Sequence, residues 1–179
     1  ALTSGSYNIA IGTLALSTED TSSGNTAVGY QALRDQDNDA NAFNVAIGFD
    51  AGKTVTTGKE SVIIGASAGD AITTAARNTL IGHTAGSALV GGGSNVAIGY
   101  QSLLSETAHG ANVAVGYNTL GTLNAGANGF NTAVGYKAAE NVSTGVENTL
   151  VGAHAGDTIN SGAHNTFVGF KAGDLTTTG

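Results

Sequence analysis

Apolar and polar positions along this chain follow one recurring pattern. Residues 25–33 (NTAVGYQAL), 95–103 (NVAIGYQSL) and 131–139 (NTAVGYKAA) each open on asparagine, run through small or β-branched residues and reach glycine in fifth place. Ten copies start at Asn8, Asn25, Asn44, Ser61, Asn78, Asn95, Asn112, Asn131, Asn148 and Asn165. They are 17 residues apart, except for two intervals of 19 that open at Asn25 and Asn112. Positions are counted from these starting residues. Position two is Thr, Val or Ile, and position four is always Ile or Val (Ile11, Val28, Ile47, Ile64, Ile81, Ile98, Val115, Val134, Val151, Val168). β-Branched residues at alternate places predict a short strand with this face fixed inward. Position three is apolar too, so both faces of the strand avoid water. A fixed period of this kind marks stacked units. The pattern predicts an all-β chain, a parallel β-solenoid or β-roll of about ten 17-residue coils, with residues 1–179 forming a single array. A lone apolar residue near position twelve (Val55, Ile72, Leu89, Leu123, Val142, Ile159) predicts a second, shorter strand closing each coil.

Position five accepts only glycine: Gly12, Gly29, Gly48, Gly65, Gly82, Gly99, Gly116, Gly135, Gly152 and Gly169. Such a place needs a positive φ or has no room for a Cβ. Asparagine opens every copy but one, at Asn8, Asn25, Asn44, Asn78, Asn95, Asn112, Asn131, Asn148 and Asn165. Stacked once per coil, these side-chain amides are expected to bond up and down as a ladder. Sizes covary at positions three, six and nine. Ala27 and Ala97 go with Tyr30 and Tyr100 and with Leu33 and Leu103, whereas Ile63 goes with Ala66 and Gly69. That predicts one packed layer of conserved volume, a rule that Phe167 with Phe170 breaks. A coil of 17 residues is thin and can enclose only one face of its strand. The row of positions three and six is therefore expected outside, as an apolar stripe that parallel copies of the chain would cover.

The two longer intervals end alike, in ANAFN (40–44) and ANGFN (127–131), 87 residues apart. A five-coil block therefore reads as duplicated, about 8–94 and 95–179. The array starts and stops inside a unit with no cap at either end, so flanking fibre domains are expected.

Composition narrows the function. With 11% charged and 41% hydrophobic residues the chain is too apolar to stay disordered. It has no cysteine, hence no disulfide framework and no thiolate metal site. A net charge of −7 argues against nucleic acid and against anionic membranes. No apolar run approaches the roughly 18 residues of a membrane span.

Units such as NVAIGYQSL (95–103) and SVIIGASAG (61–69) resemble the head repeats of YadA-like trimeric adhesins, whose motif also runs hydrophobic–Ala–Ile/Val–Gly after Asn or Ser. Arrays of the NTAVGYQAL type in phage tail-fibre β-solenoid proteins are more similar still. The resemblance covers the whole chain. It implies a left-handed β-roll assembled as a parallel homotrimer, located on a virion or at the extracellular surface of a cell. It implies a structural and adhesive rod, part of a phage tail fibre that spaces or presents a host-attachment tip, with a host-surface glycan or protein as receptor. The head of a bacterial surface adhesin is the alternative, and an ice-binding solenoid built on the position-two threonines, read as pointing inward, is a remote one.

Enzyme chemistry is not expected, nor any cofactor. GASAG (65–69) fits a nucleophile elbow, but GHTAG (82–86) and GAHAG (152–156) occupy the same places, so Ser67 reads as a variable outward residue. His83, His109, His154 and His164 share no unit position and read as surface or packing residues. Asp35, Asp37 and Asp39 match the first alternate positions of a calcium loop, yet Ala40 and Ala46 stand where its glycine and glutamate belong, so they read as a solvated loop. Asn141-Val142-Ser143 is a glycosylation triplet of the kind that arises by chance. Tyr30, Tyr100, Tyr117 and Tyr136 are the candidate exposed aromatics, read as interface packing.

Overall fold

The computed structural model describes residues 5–19, 21–38 and 40–176. Each repeat contributes one three-residue strand at positions two to four: β1 (Ile9–Ile11), β2 (Thr26–Val28), β3 (Val45–Ile47), β4 (Val62–Ile64), β5 (Thr79–Ile81), β6 (Val96–Ile98), β7 (Val113–Val115), β8 (Thr132–Val134), β9 (Thr149–Val151) and β10 (Thr166–Val168). They form one parallel sheet in sequence order. Like positions pair, as in Ala97 with Ala114 and Ala133 with Leu150. The fold is a parallel β-solenoid of about nine turns, and each strand touches only the next.

Glycine at position five is doubly required. Its φ lies between +128° and +140°, a region that side chains avoid. A Cβ there, from Gly12 to Gly152, would sit 2.6–2.7 Å from the carbonyl carbon of the next coil's glycine. The chain then turns through left-handed residues at positions seven and nine, such as Gln31 (φ 55) and Leu33 (φ 48). The asparagine ladder forms as expected. Each position-one side-chain oxygen accepts the main-chain N–H of the next position one, at 2.8–3.3 Å, and Ser61 substitutes with its hydroxyl. The amide nitrogen donates across the coil to the carbonyl fourteen residues on, as in Asn78 to Gly92 and Asn148 to Gly162, both 2.9 Å. In the two 19-residue coils the amide nitrogen finds other acceptors: Asn25 donates to Ser22 Oγ, and Asn112 to the Gly110 carbonyl and Asn95 Oδ1.

The orientation of the strand corrects the sequence reading. Position three faces the core: Ala27, Ala46, Ile63, Leu80, Ala97, Ala114, Ala133 and Leu150 are buried. Positions two and four face outward and are half-buried or exposed. The threonines at position two thus point away from the core. Parity explains it, because the buried asparagine at position one and the residue at position three lie on the same side of an extended chain. The outward apolar stripe therefore consists of positions two, four and six, and position three has no part in it.

Volume is conserved between positions three and nine, which do share the core. Beside Ala27, Ala97 and Ala114, Leu33, Leu103 and Leu120 fill the interior, whereas Ala46 and Ala133 go with the small Gly52 and Ala139 and do not follow the rule. Where it is Leu80 or Leu150, Gly86 or Gly156 makes room. Phe167 obeys the same rule, since a Cβ on Gly173 would collide with its ring. The apparent exception came from Phe170, which stands outside. No second strand forms at position twelve among the described residues. Main-chain bonds at and just after position thirteen replace it in most coils, as in Thr56 N to Thr73 O (2.9 Å) and Thr73 N to Val90 O (3.1 Å).

Where position nine is leucine, position twelve can be polar. Glu19, Gln36 and Glu106 occupy it and are fully buried. Glu106 Oε1 accepts the N–H groups of Thr107, Ala108 and His109 at 3.0–3.2 Å, and Oε2 accepts that of Ala125 in the next coil at 3.1 Å. The carboxylate satisfies a bend whose donors have no other partner in a core already filled by Leu103.

Candidate interaction face

The outward side of the sheet has four rows. Positions two and four make its centre. Position six follows the strand along one edge. Along the other edge stands the last residue of the preceding coil: Tyr7, Gly24, Phe43, Glu60, Arg77, Ser94, Ala111, Phe130, Glu147 and His164. All ten have positive φ, so the chain turns a corner at this row. Among the described residues, every exposed large apolar side chain except Leu14, Val90 and Leu175 stands on these four rows. Positions two, four and six carry no charge in any coil.

The position-six rings stack on one another. His83, Tyr100, Tyr117 and Tyr136 form a run with centroids 5.2–5.5 Å apart and planes within 16°. Tyr30 and Phe49 form a second stack at 5.1 Å, and Ala66 separates the two. Each ring covers its neighbour's face, so the row presents ring edges to solvent. A sugar cannot lie flat on such a row, which suits the tyrosines to packing against another surface.

The candidate chemical residues do not converge. Ser67 is a half-buried corner residue with φ 51, held by its N–H to Phe49 O. His154 pairs with Asp157 (2.8 Å), His164 with Glu147 (3.1 Å) and His109 with Glu106 (3.3 Å), each in a different place. Among the described residues no group of three or more His, Asp or Glu side chains gathers to hold a metal ion, and no cavity opens. Asp35 is held by the Arg34 guanidinium in two bonds of 2.5–2.6 Å, Asp37 is exposed, and Asp39 lies outside the described residues.

Two features escaped the sequence reading. One is the corner row. The other is a set of position-seven to position-ten ion pairs, Asp50–Lys53, Lys137–Glu140 and Lys171–Asp174. The last of these could have been found, since opposite charges recur three residues apart. Asp70 sits at position ten opposite Ser67 and has no cation at position seven of its own coil. Burial pushes its carboxyl above the ordinary 3.8, and Lys53 only partly opposes this. The folded chain therefore holds this proton more tightly than the unfolded one, and stability falls as pH rises through the carboxylate range. Asp70→Asn is expected to raise the melting temperature at pH 7, and the gain should vanish below pH of about 3. Thermal melts at the two pH values check this.

Fold and surface together define the class: a parallel β-solenoid with one apolar face whose strand rows carry no charge. No protein-family model, curated protein or solved structure matches the chain.

Proposed function

We propose that the chain is a segment of a trimeric fibre, a rod of the phage tail-fibre kind that spaces or presents a host-binding tip, with the head of a bacterial surface adhesin as the alternative. The observation that carries this reading is the gathering of nearly all exposed large apolar side chains onto one face, whose central and position-six rows carry no charge. A face of that length is costly to leave in water. Identical rods standing side by side about a common axis cover it while their ladders stay parallel. The role is mechanical. Main-chain ladders and interlocked apolar layers resist shear and proteolysis, and the charged turns on the far side keep the rod soluble. Receptor contact, with a glycan or a surface protein, belongs to that polar side or to the tip.

Measuring the native mass by light scattering tests the proposal. The expected result is three times the 17.5 kDa chain, and a stable single chain would overturn it. The outward threonines offer a hydroxyl row for ice, but Val45, Val62, Val96 and Val113 interrupt it, and no thermal hysteresis is expected.

A further inference from the structure

The two edges of the apolar face are related in a way that packing within one chain accounts for only at Gly24, where the Phe43 ring occupies the place of a side chain. At each level of the rod, the corner residue and the position-six residue lie at opposite ends of a strand. Six residues separate them, as much as about 20 Å, and the buried position-one and position-three side chains point away from both. Their sizes are nonetheless complementary at six of the ten levels. Large corners go with small sixth positions: Tyr7 with Thr13, Glu60 with Ala66, Glu147 with Ala153. Small corners go with large ones: Gly24 with Tyr30, Ser94 with Tyr100, Ala111 with Tyr117. Phe43 with Phe49 and Phe130 with Tyr136 are both large, and each corner there closes one of the two 19-residue coils. Arg77 with His83 and His164 with Phe170 are also both large.

We infer that the position-six edge of one copy packs against the corner edge of the next copy at the same level, so that small meets large around a closed ring. This rests on the trimer reading and goes beyond it, because it fixes which rows touch and with what axial offset. In a cyclic assembly each contact joins two different surface patches, here the two edges of one face. Same-level complementarity requires parallel axes and no shift along the rod. An antiparallel pair would instead bring each level against a different one and lose the match. Tyr100 and Tyr117, whose faces are already covered by neighbouring rings, insert their exposed edges into the spaces above Ser94 and Ala111.

The test uses introduced cysteines, since the chain has none of its own. A chain carrying Ala111→Cys with Tyr117→Cys is treated with a short bismaleimide and run on a denaturing gel. A second chain carries Ala111→Cys with Phe170→Cys, which are three coils, about 14 Å, out of level. The expected result is a three-chain band from the first pair and none from the second. A native trimer in which the first pair stays unlinked, or in which the second links equally well, overturns this inference and leaves the trimer standing. A native mass of one chain overturns both. A steric swap supplies a readout independent of the linker. Ala111→Trp should shift the native mass to one chain, and adding Tyr117→Ala should restore three; if Tyr117→Ala restores nothing while circular dichroism shows the coils intact, the pairing is wrong.

Discussion

Gly99→Ala is expected to unfold the middle of the rod, with a loss of at least about 4 kcal/mol. Two effects add. The φ of +133° belongs to a region that is essentially reserved for glycine. The new Cβ would also stand 2.6 Å from the carbonyl carbon of Gly116 and closer still to its oxygen. Neither neighbour can yield. Both are main-chain atoms in consecutive rungs, and Gly99 N–H is itself tied to Ile81 O at 2.7 Å. Moving one rung aside would break the bonds it makes to the rungs above and below. The matched control is Gly91→Ala, where nothing lies within 4 Å of the added carbon. That change should stay within about 0.5 kcal/mol of the parent. Denaturant melts of the two variants decide the matter, and equal stabilities would show that the close approach at position five does not hold in solution.

Glu106→Ala should be the most damaging change outside the glycines, at about 3–5 kcal/mol. The carboxylate is fully buried and gathers four main-chain donors, three from its own bend and one from the next coil. Removing it strands those N–H groups where water cannot reach, and no neighbouring side chain is placed to replace it. Glu106→Gln keeps the shape and one accepting oxygen, and is expected to lose about 1–2 kcal/mol. Hydrogen exchange adds a local signature, since the amides of Thr107, Ala108, His109 and Ala125 should lose protection together in Glu106→Ala. Alanine and glutamine variants of equal stability would mean that the carboxylate contributes only bulk.

These two sites differ in how plainly the sequence showed them. Position five was legible because it is invariant, and invariance of glycine across ten copies has few physical causes. The asparagine row was legible for the same reason. Glu106 was not, because it stands where most coils place an apolar residue. Its burial follows only from Leu103 having filled the core, a relation between two positions. The direction of the strand was missed because positions two, three and four are all apolar, so alternation alone does not separate inside from outside. The deciding signal was present all the same. Asn95 and Ala97 share parity, and a stacked amide row needs shelter from water, which places Ala97 inside with it. Tyr100 beside Ala97 misled because two size changes coincide, one set by Leu103 within the chain and one by Ser94 at the far edge. The closing segment was read as a strand from Ile72 and Leu89, but a single apolar residue can be buried by a turn as well as by a strand.

Each strand touches only its immediate neighbours, and this bears on heredity as much as on shape. Excising or doubling one 17-residue rung leaves every remaining junction chemically familiar, because each junction joins the same kinds of surface. A gene written this way can misalign with itself during replication and still encode a sound product. Length then becomes a trait that selection can adjust in steps of about 5 Å, without inventing a new core at any step.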